Sequence, residues 1–255
     1  ANPMAGRDGY RIGHIKGALY ADLERHLSGD KHAVDGTFRG RHPLPGREFL
    51  AEVMRERGVN ENTQVVAYDA HGGMYAARLW WLLRWIGHER VAVLDGGMAA
   101  WQALGLPMDS NVPDPHIGNL AAKPSLVHAV TAAQVLENIG TRERTVIDAR
   151  APDRYRGENE TIDPVAGHIP GAKNRFFKDN LHPDGRFKDA AALKAEFEPL
   201  VEDPKQIIMQ CGSGVTACHN LLAMEVAGLH GAALYPGSWS EWSSDPSRPV
   251  ATGTE

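Results

Sequence analysis

Short apolar runs alternate with longer stretches of helical spacing along this chain of 255 residues. Thr145 to Asp148 (TVID) is β-branched and apolar, which suits a buried strand. Lys205 to Gln210 ends in another such run, and apolar positions from about Val215 to Ala227 then recur at the spacing of a helix. Ala232 to Tyr235 predicts a third strand, followed by a short helix through Trp242. Earlier in the chain the same order appears as Gln64 to Tyr68, a helix from about Met74 to Ile86, and Val91 to Leu94. Short apolar strands separated by helices imply βαβ crossovers and a parallel sheet covered on both faces. The predicted class is therefore α/β.

The recurrence extends to the letters. GHIKGA (Gly13 to Ala18) returns as GHIPGA (Gly167 to Ala172), and VVAYD (Val65 to Asp69) is echoed by IIMQC (Ile207 to Cys211). LDGGMAAW (Leu94 to Trp101) is echoed by YPGSWSEW (Tyr235 to Trp242), in the same order. Such ordered matches mark a tandem duplication. Gly105 to Val130 carries four prolines with Asp, Asn and Ser, and reads as the linker. The predicted layout is a first domain over 1–108, a linker over 109–130 and a second domain over 131–255. Ahead of GHIPGA the second copy has a strand and turn, VIDARAPDRYRGE, that the first copy lacks. A missing central strand would expose unpaired edges, so the first domain is expected to be incomplete at its N-terminus.

Charge removes some classes of partner. Lys plus Arg is 27 against 32 for Asp plus Glu, so the net charge of −5 disfavours nucleic acid or an anionic membrane. No apolar run approaches the roughly 20 residues that span a bilayer. Two cysteines and no signal-peptide pattern fit a reducing, cytoplasmic setting. The 12 histidines are scattered without metal-ligand spacing, so no metal is expected.

The chemistry concentrates in Gln210-Cys211-Gly212-Ser213-Gly214-Val215-Thr216-Ala217-Cys218. A cysteine directly after a buried strand, then small residues, then a helix, can be ringed by backbone N–H groups. The helix N-terminus adds positive potential, so the loop favours an anion on or beside the sulfur. In the first copy Asp69 stands where Cys211 stands, in a loop one residue longer. A carboxylate cannot replace a thiolate nucleophile, so the first domain should be silent. A cysteine phosphatase would share the cradle but needs an arginine six residues after the cysteine, where this chain has Ala217.

CGSGVTA after a strand, the paired GHIxGA motifs and the final GSWSEW together resemble the two-domain rhodanese family of sulfurtransferases. The likeness covers essentially the whole chain. Within the family a neutral CGSGVT loop resembles the 3-mercaptopyruvate branch, whereas thiosulfate-preferring members carry a more basic loop. The resemblance implies attack of Cys211 on the donor sulfur, release of pyruvate or sulfite, and a Cys211 persulfide. A thiophilic acceptor (cyanide, a small thiol or a reduced thioredoxin) then removes the outer sulfur. This is ping-pong covalent catalysis without a cofactor. N–H groups of Gly212, Gly214, Val215 and Thr216 would hold the persulfide, at a site in the interdomain cleft. The chief alternatives are thiosulfate as main donor and a sulfur-carrier module that does not turn over.

The resemblance also assigns helpers. Ser213 would relay a proton to the leaving enolate, with His14 of the first GHIxGA as its partner and Asp8 behind that ring. A structural role for His14 stays open, because His168 holds the same place in the second copy. Arg154 matches a family arginine that binds the donor's anionic group, using the planar fork of its guanidinium, while Arg150 suits an ion pair at the strand end. Relatives add a second arginine nine residues on, where this chain has Asp163. Arg175 or Arg78 could substitute, and Tyr75 could line the cleft; interdomain packing remains open for Arg78 and Tyr75. Cys218 could be a resolving thiol or a buried structural one.

Overall fold

The computed structural model describes residues 4–254 and divides into two compact units. The first comprises Ala1–Gly29 and Pro45–Leu126; the second comprises Asp30–Leu44 and Val127–Glu255. The passage between units at Leu126–Val127 falls inside the expected linker. Residues 30–44, expected in the first domain, belong instead to the second. They are held there by Arg41, whose N–H donates to Ser240 Oγ at 3.1 Å, and by the His42 ring on Ser213.

In the first unit, Val65–Ala67 pairs in parallel with Val91–Val93, with Val65 opposite Val91. The helix Ala76–Trp85 packs on that pair and buries residues around most of its circumference: Ala76, Ala77, Arg78, Trp80, Trp81, Leu82 and Leu83. A helix apolar on all sides belongs in a core, and each fully buried Leu contributes about 1.5–3 kcal/mol. Leu50, Val53 and Met54 of the helix Arg47–Glu56 add to the same core. His14–Ile15 pairs antiparallel with Met108–Asp109, closing the start of the unit onto its end.

The second unit holds a five-stranded parallel sheet. Its order runs His128–Ala129, Ala233–Leu234, Ile207–Gln210, Thr145–Asp148, Lys173–Asn174. All four residues of the central Ile207–Gln210 are buried, as helices on both faces require. It pairs with Thr145–Asp148 so that Asp148 lies opposite Gln210. Val135, Val146, Ile169, Ile208, Tyr235 and Trp239 share one core cluster. The chain leaves the central strand at Cys211 and enters the helix Thr216–Val226, so the loop between sits at the carboxyl end of the sheet.

Candidate active site

Cys211 is 1% exposed. Its sulfur accepts N–H bonds from Gly214 at 3.2 Å and Ser213 at 3.5 Å, so the loop has curled around it. The curl depends on Gly214, whose φ of 75° is left-handed and where any side chain would run into the Pro236 carbonyl. The helix beginning at Thr216 starts directly behind the loop, so its N-terminus adds positive potential there.

The GSWSEW segment anchors the loop from behind. Cys211 N–H donates to Ser238 Oγ at 3.1 Å, and Trp239 N–H donates to the Cys211 carbonyl at 2.9 Å. Ser240 N–H donates to the Gly212 carbonyl at 2.9 Å. These polar groups are thus consumed behind the sulfur while the Ser213 and Gly214 amides face it.

Ser213 Oγ is hydrogen-bonded to Nδ1 of His42 at 2.8 Å. His42 follows Gly40 (φ 97°), where a Cβ would come within 2.7 Å of the Gly237 carbonyl, so the segment is seated tightly on the second unit. The ring beside Ser213 is thus one that the sequence reading did not single out. His14 belongs to the first unit, with Nδ1 2.8 Å from the Tyr10 carbonyl, Nε2 3.2 Å from the Asn111 carbonyl and its ring stacked on Tyr10 at 3.9 Å. His168 repeats that arrangement on Tyr155, at 2.8 Å and 3.8 Å. Both rings staple the GHIxGA turn to the preceding helix, and each nitrogen of His14 faces a carbonyl of its own unit. Asp8 is exposed on the first turn of the helix Ala5–Ile12 and touches neither ring nitrogen.

Three arginines lie beside the loop in an alternating network. Arg150, 1% exposed, donates to Asp148 at 2.6 Å and to the Gly167 carbonyl at 2.7 Å, with its guanidinium over the Trp239 ring. Arg154 sits in the middle of Pro152–Arg156 and donates to Glu160 at 2.9 Å and Asp163 at 3.3 Å. Asp163 also pairs with Arg41. A Cβ built on Gly212 would meet Arg41 Nη2 at 2.9 Å and Arg154 Nη1 at 3.6 Å, so both guanidiniums flank the loop. Burial works against charge on Glu160, but hydrogen bonds from Arg154 and from the N–H groups of Asp163 and Ile162 outweigh it and hold the carboxyl below its usual range. Burial holds Asp163 above its usual range even beside Arg41 and Arg154, with Glu160 adding to the push.

The proposed substitutes for the second arginine are engaged elsewhere. Arg175 donates to Glu196 at 2.5 Å and to Asn180 at 3.2 Å, with its guanidinium over Phe197. Arg78 is wholly buried in the first unit, where it donates to the Leu27 carbonyl at 3.4 Å. Tyr75, also in the first unit, gives its N–H to Asp69. Cys218 is buried in the helix, its thiol donating to the Gly214 carbonyl at 3.3 Å, which gives it a place in holding the loop.

The first unit carries the same cradle already filled. Asp69 Oδ1 accepts from the N–H groups of His71 and Gly73 at 2.7 and 2.9 Å; Oδ2 accepts from those of Tyr75 and Ala76 at 2.8 and 2.9 Å. Four amides around one carboxylate make this loop an anion site just beyond the strand.

Comparison with known proteins agrees with this geometry. Residues 5–104 and 131–245 each match the family described as rhodanese-like domain. The chain is 46% identical over 255 residues to a probable 3-mercaptopyruvate sulfurtransferase of Pseudomonas aeruginosa, covering 99% of this chain and 89% of that protein. It is 40% identical to SseB, a putative thiosulfate sulfurtransferase of Mycobacterium tuberculosis, covering 98% and 87%. Among solved structures, SseA from Escherichia coli, a 3-mercaptopyruvate sulfotransferase, superposes with a TM-score of 0.79 at 34% identity, covering 92% and 86%.

Proposed function

The chain belongs to the rhodanese-like family of sulfurtransferases, and from that premise we propose that it takes sulfur from 3-mercaptopyruvate onto Cys211 and passes it to a thiophilic acceptor. The Cys211 thiolate attacks the donor sulfur, an S–S bond forms, and the donor C–S bond breaks with its electron pair moving into the pyruvate enolate. The enolate needs a proton. The observation that carries the choice of donor is the 2.8 Å contact between Ser213 and His42, which supplies a hydroxyl and a titratable ring two residues beyond the reacting cysteine. Ser213 gives its proton to the enolate and regains one through His42. The outer sulfur of the persulfide then rests among the amides of Gly212, Ser213, Gly214, Val215 and Thr216, in the place that the Asp69 carboxylate takes in the first unit. Arg154 holds the donor carboxylate.

Thiosulfate is the second donor. Its support is the pair of guanidiniums at Gly212, which suit a sulfonate as well as a carboxylate, and sulfite leaves without needing a proton. The acceptor is a small thiol, cyanide or a thioredoxin-like protein, and the setting is the cytoplasm. Among the described residues no helix is long and apolar enough to cross a membrane.

Intact mass after brief exposure to each donor, with Cys211→Ser alongside, tests the reading. The expected result is a gain of one sulfur atom, faster from mercaptopyruvate, removed by cyanide and absent in the variant. No gain from either donor would overturn it, and one gain without steady-state turnover would make the chain a carrier.

A further inference from the structure

The position that the family resemblance gives to a second donor-binding arginine holds Asp163, which lies between two guanidiniums. One belongs to Arg154 and the other to Arg41, from the segment 30–44. Burial orders these groups. The carboxylates of Asp163 and Glu160 are 4% and 2% exposed, whereas the Arg41 and Arg154 side chains are 25% and 18% exposed. The cations therefore lie outermost, and both approach Gly212, next to the nucleophile. An arriving anion meets guanidinium first.

The two carboxylates are held differently. Glu160 accepts from Arg154, from Arg150 at 3.4 Å and from the backbone N–H groups of Ile162 and Asp163 at 2.9 and 3.0 Å. That is a fixed structural anion. Asp163 is held by the two arginine side chains, so it can be exchanged without dismantling the network. Three arginines (Arg41, Arg150, Arg154) face three carboxylates (Asp148, Glu160, Asp163), which leaves the cluster neutral. A neutral cluster accepts one further negative charge more readily than two.

We propose that Arg41 is a donor-binding residue that completes, with Arg154, a two-guanidinium clamp beside Cys211. Asp163 is the clamp's internal counterion: the donor carboxylate takes its place, and its charge sets a preference for monoanionic over dianionic donors. This rests on the sulfurtransferase reading of the same site.

Steady-state kinetics of the full chain with 3-mercaptopyruvate and with thiosulfate test the proposal, on wild type, R41Q, R41K, D163N and D163E. R41Q is expected to raise KM for both donors by about tenfold with a smaller change in kcat, and R41K to fall between it and wild type because it keeps the charge but loses the fork. D163N should lower KM for both donors, with the thiosulfate value falling at least about threefold further, and D163E should restore the wild-type ratio. An unchanged KM in R41Q would overturn the clamp. A D163N variant that raises KM for both donors, or lowers both equally, would overturn the counterion role. If R41Q melts below the assay temperature, R41K decides, an unchanged KM again counting against the clamp. Wild type that takes sulfur from a donor while R41Q keeps its KM sinks this inference alone; wild type that takes none sinks the underlying reading with it.

Discussion

His42 and Ser213 stand 171 residues apart in the chain and 2.8 Å apart in space, Nδ1 on Oγ. The ring reaches the hydroxyl because residues 30–44 leave the first unit and pack in the second. The serine lies two residues beyond Cys211, on the loop whose amides bond the sulfur.

That contact makes donor-dependent kinetics the sharpest test of the relay. Ser213→Ala and His42→Gln should each lower kcat with mercaptopyruvate by about 10²-fold or more, the usual scale of general acid–base assistance. Persulfide formation from thiosulfate should stay within about threefold, because sulfite leaves as the anion. His14→Gln, per folded molecule, should alter neither. Equal losses with both donors would remove the relay.

Arg150 and Arg154 lie on one short stretch and should separate cleanly. Arg150→Ala strands the buried Asp148 carboxylate and should cost about 3–5 kcal/mol of stability, read as a lower urea midpoint. Arg154→Ala should lower the midpoint less, because buried Glu160 keeps Arg150 and the N–H groups of Ile162 and Asp163, and it should raise donor KM. A reversal of these two phenotypes would exchange their roles.

In the first unit, Asp69→Ala leaves four amides without their acceptor. A loss of about 2 kcal/mol is expected, after allowing for water that reaches this half-buried loop. Hydrogen exchange should quicken at His71, Gly73, Tyr75 and Ala76. Unchanged exchange there would mean that the carboxylate does not order the loop.

Stability should also depend on pH through His26. Burial, with the Arg57 guanidinium adding to it, lowers this ring's pKa to about 4, and the Asp22 N–H donates to Nδ1 at 2.8 Å, which requires that nitrogen unprotonated. The unfolded chain, with a value near 6.5, takes up the proton first. The stabilisation is therefore complete above about pH 6.5 and is lost as pH falls towards 4. Chemical denaturation across that window, with His26→Gln alongside, checks it: the variant's stability should fall less steeply.

The parallel sheet was legible because buried strands read as apolar runs. Thr145–Asp148 and the ends of Val65–Ala67 and Ile207–Gln210 lie within two residues of the runs that predicted them. The helices Ala76–Trp85 and Thr216–Val226 likewise begin and end close to their periodic stretches. The cysteine loop could be read because its chemistry is local: strand, nucleophile, glycine, helix. Arg41 and His42 could not. RHPLPG has no counterpart in the second copy and no periodicity, and its role is set by the path of the chain between two units. Of the two roles left open for His14, the structural one has a physical argument behind it. A residue that recurs in both copies, only one of which carries the cysteine, is more economically explained by the fold, and His14 stacks on Tyr10 as His168 stacks on Tyr155.

The excursion of residues 30–44 also limits how this chain can be divided. Proteolysis in the linker near Leu126 would release a carboxyl-terminal fragment with the sulfur, its amide cradle and Arg154, yet without Arg41 or His42. A gene trimmed to its second repeat would lose the same two side chains. If the two side chains act as proposed, the duplication is irreversible in a practical sense: the repeat with Asp69 in place of the cysteine encodes part of the other repeat's site, and neither could be inherited alone without giving up the reaction.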